Sequence, residues 1–162
     1  MKLSYFDITR ENIDEVLSVV KNIFPSDEEH FTRHYNEYVS KDISYWKYVR
    51  CWKYFCVKDD NNRIVAVTGI YNESDKHPDD EIWLGWFGVS PEFRGKGIGR
   101  EVLVWTMNLA KDLGYKKFKL WTTTDNDEKE AQKLYEKLNL MVYKKERYEN
   151  TNLEKLYREI DL

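Results

Sequence analysis

The chain has 162 residues, 34% of them charged and 15% aromatic, and a net charge of −3 at pH 7. That length suits one domain with a sizeable core, and the ring content excludes a disordered chain. The charge balance gives no basic footprint for nucleic acid, no apolar run approaches the ~20 residues of a membrane helix, and Met1 to Asp7 carries no signal-peptide pattern.

Met1 to Asp7 reads as a short strand. Thr9 can cap a helix in which Ile13, Val16, Leu17, Val20 and Phe24 recur at helical spacing, and Pro25 stops it. Ser26 followed by Glu29 has the form of a capping box, opening a second helix with Phe31, Tyr35 and Tyr38 on one side. Tyr45 to Tyr48 is aromatic and ambiguous. Arg50 to Lys58 and Arg63 to Tyr71 read as a hairpin around Asp59-Asp60-Asn61-Asn62. Cys51 and Cys56, the two cysteines, are five apart, so a strand sends them to opposite faces and forbids a bridge. Both read as reduced, which fits a cytoplasmic compartment.

After a polar loop, Glu81 to Val89 predicts one further strand, with Ile82, Leu84 and Trp86 on one face and Trp83, Phe87 and Val89 on the other. Both faces are apolar, so helices are needed on both sides of the sheet. Beyond Pro91, a helix carries Ile98, Val102, Trp105, Leu109 and Leu113 at 3.6-residue spacing, with Gly114 closing it. Lys117 to Thr123 is a strand and Asp127 to Leu138 a helix with Ala131, Leu134, Tyr135 and Leu138 inward. Met141 to Tyr148 and Asn152 to Glu159 read as a closing hairpin. No repeat, low-complexity stretch or linker interrupts the order, so residues 1–162 are expected to form one domain.

The most informative segment is Val89-Ser90-Pro91-Glu92-Phe93-Arg94-Gly95-Lys96-Gly97-Ile98-Gly99-Arg100. A strand runs into three alternating glycines and then a helix. Glycines let successive N–H groups converge, and the helix start adds unpaired donors and the positive end of its dipole. Such a loop suits a phosphate or pyrophosphate, with Lys96 and Arg100 adding charge. A Walker A run is absent, and G-x-G-x-G is not the G-x-G-x-x-G of a dinucleotide site. A glycine turn that binds nothing is the plain alternative.

Arg94-Gly95-Lys96-Gly97-Ile98-Gly99 resembles the [Q/R]-x-x-G-x-[G/A] signature of the GNAT superfamily of acyl-CoA-dependent N-acetyltransferases. Val89-Ser90-Pro91 looks like the end of that family's fourth strand, and Ala131…Leu134-Tyr135-Glu136-Lys137-Leu138 is similar to its later helix. The resemblance covers about Glu81 to Tyr143. It implies an α+β fold in three layers (α/β/α), with a mixed, mostly antiparallel sheet flanked by helices. It also implies a single acetyl-CoA co-substrate and no metal. The amides of Gly95, Lys96, Gly97, Ile98, Gly99 and Arg100, next to Arg94, would hold the coenzyme A pyrophosphate. The main chain of Phe87 and Val89 would pair with pantetheine, and an amide near Phe87 or Gly88 would polarise the thioester carbonyl. Gly88 can equally be a packing glycine. Two positions depart from the family. Its Asn seven residues before the helix tyrosine is Glu128 here, which leaves Asn126 as the candidate pantetheine contact. Its Gly-Phe after that helix is Asn139-Leu140.

A lysine-like amine acceptor has a pKa of about 10.4, so populating its neutral form at pH 7 costs about 4.6 kcal/mol. A base or a water relay must take that proton. Glu81, beside Asp79-Asp80 and sharing strand parity with Trp83, Phe87 and Val89, is the candidate base; a solvated carboxylate is its plain alternative. The family's other base position, on the fifth strand, is Trp121. The resemblance makes Tyr135 the acid that protonates the departing sulfur, although an inward tyrosine also packs a core. His30 and His34 have metal-pair spacing but no third ligand nearby. Tyr45, Trp46, Tyr48, Trp52 and Tyr54 either wall an acceptor pocket or form ordinary core.

These features point to transfer of an acetyl group to a primary amine of a small molecule or peptide by direct attack in a ternary complex. A non-catalytic acyl-CoA sensor of the same fold is the alternative, and a nucleotide binder a second. Neither a nucleic acid nor a membrane is expected as partner.

Overall fold

The computed structural model describes residues 1–162, except the side chains of Ile43 and Tyr45. The elements run β1 (Ser4–Asp7), α1 (Ile13–Ile23), α2 (Glu28–Ser40), α3 (Ile43–Trp46), β2 (Val49–Lys58), β3 (Ile64–Glu73), β4 (Glu81–Leu84), β5 (Gly88–Val89), α4 (Ile98–Asp112), β6 (Lys117–Thr123), α5 (Lys129–Lys137), β7 (Met141–Arg147) and β8 (Glu154–Asp161). The sheet order is β1-β2-β3-β4-β6-β8-β7, with β5 also on β3. Only β4 and β6 pair in parallel, so the sheet is mixed and mostly antiparallel, as expected.

Three apolar clusters define the layers. On one face, Val16, Val20, Phe31, Tyr35 and Tyr38 of α1 and α2 bury Trp52, Tyr54 and Cys56 of β2. On the other face, Leu103 and Ala110 of α4 and Tyr135 of α5 pack on Ile70, Ile82, Phe118 and Leu120, with Cys51 at the margin. A third cluster joins Val65 and Ala66 to Phe93, Ile98 and Val102. The buried hydroxyls of Thr68 and Thr106, 2.8 Å apart, tie β3 to α4. Cys51 and Cys56 lie in clusters on opposite faces and are free thiols.

Several local expectations need correction. Thr9 does not cap α1; Asn12 precedes the helix, and its Oδ1 accepts from the Thr9 N–H at 2.8 Å. The Ser26–Glu29 capping box is not formed, because α2 starts at Glu28 behind Asp27, which makes no side-chain cap. Gly114 and Asn139 are left-handed, at φ 93° and 61°, and end their helices without strain on the glycine and little on the asparagine.

The largest correction concerns residues 81–89. They form two strands, not one. Leu84 pairs with Ile70 and Gly88 with Val67, so four residues on one strand span three on the other. This one-residue bulge holds Trp86 at φ 46°. It also swaps faces: Glu81 and Trp83 no longer share a side with Phe87 and Val89, which pack with the α4 clusters. Beyond the bulge β5 stays on β3, while β6 continues on β8 alone from Leu120 to Thr123. A split therefore opens between β5 and the far half of β6.

Candidate active site

The glycine loop lies at the mouth of this split. Pro91–Phe93 forms a single 3-10 turn, and Gly97 is the residue before α4. Gly95 and Gly97 take φ values of 75° and 82°, where a side chain is strained, and an added Cβ on either would meet no protein atom within 4 Å. Among the described residues, no acceptor reaches the main-chain N–H of Gly95, Lys96, Gly97, Ile98, Gly99 or Arg100. The first helical bond is donated by Glu101 to the Gly97 carbonyl at 3.2 Å. Six successive donors thus lack an acceptor at a helix start, the chemistry that suits a diphosphate. Arg94 Nε donates to the Val89 carbonyl at 3.0 Å, and Lys96 Nζ to the Glu92 carbonyl at 3.1 Å. A shallow cavity of about 430 Å³, lined by Lys96, Gly97, Arg100, Glu101 and Val104, lies alongside.

The Ser90 N–H donates to the Val65 carbonyl at 2.9 Å. Main-chain groups alternate sides along a strand, so the Val89 N–H and C=O point away from β3, the carbonyl already accepting from Arg94 Nε. An extended ligand arm could pair there. Gly88 packs against the end of α1: a Cβ would stand 2.4 Å from Ile23 Cγ2 and 2.8 Å from Phe24 Cζ. Trp86, the left-handed residue, is held by rings on α1 and α2, with centroids 5.4 Å from Phe24 and 6.1 Å from Phe31 and from His34.

Tyr135 is 6% exposed, and its ring centroid is 6.4 Å from that of Phe87. Its hydroxyl makes no hydrogen bond among the described residues. Burial, reinforced by Glu128, pushes its pKa well above the ordinary phenol value, so the proton stays on at any working pH. Glu128 itself accepts hydrogen bonds from the Thr122 hydroxyl and the Thr123 N–H at the end of β6. Gln132 Nε2 donates to the Thr123 carbonyl at 2.8 Å, and buried Arg158 donates to Gln132 Oε1 at 3.1 Å and to the Leu140 carbonyl at 2.8 Å. This clasp fixes α5, and hence Tyr135, to the lip of the split. Sequence reading noted Glu128 only as a departure. Asn126 lies exposed in a 3-10 turn before α5, and among the described residues no side-chain hydrogen bond holds it.

Glu81 is placed elsewhere. Its carboxylate lies 2.7 Å from Lys119 Nζ, on the face opposite Tyr135. Trp121, 43% exposed, is on the same face. Of the expected aromatic group, Trp52 and Tyr54 are buried core, Trp46 packs beside them and Tyr48 is exposed; Tyr45 lies outside the described side chains. His34 sits in that core, its Nε2 3.1 Å from the Tyr54 hydroxyl, and burial lowers its pKa to about 4. Among the described residues, no three His, Cys, Asp or Glu side chains are grouped to hold a metal, and no helix is long and apolar enough to cross a membrane.

A split mixed sheet with a glycine loop opening a helix beside it is the architecture of an acyl-CoA acyltransferase fold. The family description "Acetyltransferase (GNAT) family" matches residues 17–140, and the chain belongs to that family. Solved structures share the whole fold at low identity. A GNAT-family protein from Desulfovibrio desulfuricans aligns with a TM-score of 0.79 at 12% identity, covering 99% of each chain. The ribosomal-protein-S18-alanine N-acetyltransferase of Escherichia coli aligns at 0.72 and 15% identity, over 99% of this chain and 94% of that one. A spermidine N-acetyltransferase from Vibrio cholerae, solved in complex with CoA and spermine, aligns at 0.72 and 14%, over 98% and 95%. No curated protein sequence matches the chain.

Proposed function

We propose that the protein transfers an acetyl group from acetyl-CoA to a primary amine, in the cytoplasm and without a covalent enzyme intermediate. The observation that carries this reading is the run of six amides, Gly95 to Arg100, with no acceptor of their own at the mouth of the split. When bound, acetyl-CoA supplies a thioester whose carbonyl carbon accepts the amine lone pair as the C–S bond breaks.

The chain's own residues divide the work. The amides of residues 95–100 hold the diphosphate, with Lys96 and Arg100 adding charge at the rim. The Val89 N–H, beside a carbonyl that Arg94 already holds, aligns the extended arm as an added strand, and an amide near Phe87 or Gly88 donates to the thioester oxygen. Tyr135 stands on the α4–α5 side of the split and gives its hydroxyl proton to the departing sulfur. Its raised pKa keeps the hydroxyl protonated as a donor to the departing sulfur, and makes it a weaker acid than a free phenol. The acceptor enters from the opposite face, where its ammonium gives up its proton to water or to Glu81. Glu81 can take that proton only by weakening its pair with Lys119. Asn126, exposed beside the split, is kept as a pantetheine contact to be tested.

Thermal stability read with coenzyme A, ATP and NAD tests the binding step. At 100 times its Kd a ligand adds ~2.7 kcal/mol, several degrees for a domain of this size. Stabilisation by coenzyme A alone is expected; stabilisation by ATP or NAD instead overturns the reading. Thiol release against a panel of amines then tests transfer. The second reading, a non-catalytic acyl-CoA sensor, draws on the ion pair that occupies Glu81, and silence across polyamines, aminoglycosides, amino acids and peptide N-termini would favour it.

A further inference from the structure

The sheet face opposite α4 and α5 carries Glu81 and Trp83 of β4, Lys117, Lys119, Trp121 and Thr123 of β6, and Lys155, Tyr157, Glu159 and Asp161 of β8. Trp83, Trp121, Tyr143 and Tyr157 belong to none of the three apolar clusters. Three of the four lysines on this face have carboxylate partners. Lys117 pairs with Glu159 and Asp161, each at 3.5 Å; Lys119 pairs with Glu81 and Glu159; Lys144 pairs with Glu146.

Lys155 is the exception. It is partly buried, yet among the described residues no carboxylate or hydrogen-bond acceptor is within bonding distance of its ammonium, and Glu146 feels it only at longer range. Glu146, its cross-strand neighbour, is turned to Lys144 and to the Tyr157 hydroxyl. The Lys155 ammonium instead rests 4.4 Å from the Trp121 ring and 5.1 Å from the Tyr148 ring, whose centroids are 6.4 Å apart. Trp121 lies two residues past the last β4–β6 pair, Trp83 with Lys119, which is where the split begins. The rings hold the charge in place without neutralising it. The same face also holds a buried donor without an acceptor, the Trp83 indole N–H.

Resting on the acetyl-transfer reading, we infer that Lys155, fixed between Trp121 and Tyr148, binds a carboxylate of the acceptor. The substrate class is then an amine that also carries a carboxylate. A polycation is disfavoured, because it would meet an unpaired ammonium at the lip where it must enter. A single ammonium matches a single anionic charge, and the flanking rings cover the apolar stem between the two ends of such a molecule.

The test compares amines with their matched amides: free amino acids against amino-acid amides, and short C-terminally amidated peptides with and without one acidic side chain. Either carboxylate source supports the proposal, and the arm that wins identifies which one. The expected result is a kcat/KM ratio of carboxylate to amide of about 10 to 100. That ratio should fall to about 1 in Lys155→Gln and persist in Lys155→Arg. Equal use of carboxylate and amide by the unmodified protein overturns the proposal, as does a preference for polyamines.

A second readout needs no turnover. N-acetylglycine and N-acetylglycinamide are titrated against the indole N–H resonance of Trp121, assigned with Trp121→Phe, with and without coenzyme A. Saturable movement by the acid only, lost in Lys155→Gln, supports the site; no movement, or equal movement by both, overturns it. Failure of coenzyme A to stabilise the protein would count against acetyl transfer. Coenzyme A binding with indifference to the carboxylate would count against Lys155 alone.

Discussion

Ile82 and Phe87 pack into the same cluster beneath α4 and α5, although five residues of unbroken strand would place them on opposite faces. The bulge between them reverses the alternation, turns Trp86 toward α1 and α2, and leaves Glu81 on the other side from Val89. The split, and with it the whole candidate site, follows from that single extra residue. The left-handed Trp86 costs of order 1–3 kcal/mol, and its burial among Phe24, Phe31 and His34 offsets it.

Replacing Gly97 with valine should abolish coenzyme A binding with little loss of fold. The φ of 82° costs a branched residue about 1–2 kcal/mol, but its Cβ has no protein atom within 4 Å. It would stand where the diphosphate is proposed to sit. Thermal melts with and without coenzyme A check this; a retained ligand-induced shift would mean the loop is misassigned.

Tyr135→Phe should lower acetyl transfer by ~10²- to 10⁴-fold while coenzyme A affinity persists. The ring stays in its cluster, so the melting temperature should hold. An unchanged rate would remove Tyr135 as the acid.

Gly88→Ala should destabilise the fold by about 1–3 kcal/mol, because the new methyl group would press on Ile23 and Phe24. Urea unfolding gives the value. A neutral result would show that α1 can retreat from β5 at little cost.

His34 predicts a pH dependence of stability. Burial lowers its folded pKa to about 4, below an unfolded value near 6.5. The unfolded chain therefore binds the proton first. The contribution is complete above about pH 6.5 and is lost as pH falls toward 4, reaching ~2 kcal/mol lost by pH 5. His34→Gln should lose less than the unmodified protein between pH 7 and pH 5 in urea titrations. Parallel curves would exclude His34 as the source. His77, also lowered by burial, remains in both proteins and cancels in the comparison.

Much of the site was legible because its signals are local. The positive φ values of Gly95 and Gly97 and the free amides before α4 follow from residue type and helix start within six positions. The inward turn of Tyr135 follows from its spacing with Ala131, Leu134 and Leu138. Gly88 inside the expected strand marked a place for close backbone approach, but not the residue that would bulge or the face that would change. The family resemblance supplied the ligand to expect at the loop, and the sheet supplied the opening beside it.

Element order outside residues 43–46 and 81–89, the apolar faces of the helices, the separation of Cys51 from Cys56 and the glycine turn before α4 were determined by the sequence alone. They depend on backbone preference and on periodicities of two and 3.6 residues. Which carboxylate Lys119 would take, that Glu128 would grip the end of β6, and that Lys155 would lie between Trp121 and Tyr148 were decided only by the tertiary structure. Those contacts join strands and helices far apart in the chain, and their partners depend on sheet register. One inserted residue changes that register without changing any local pattern.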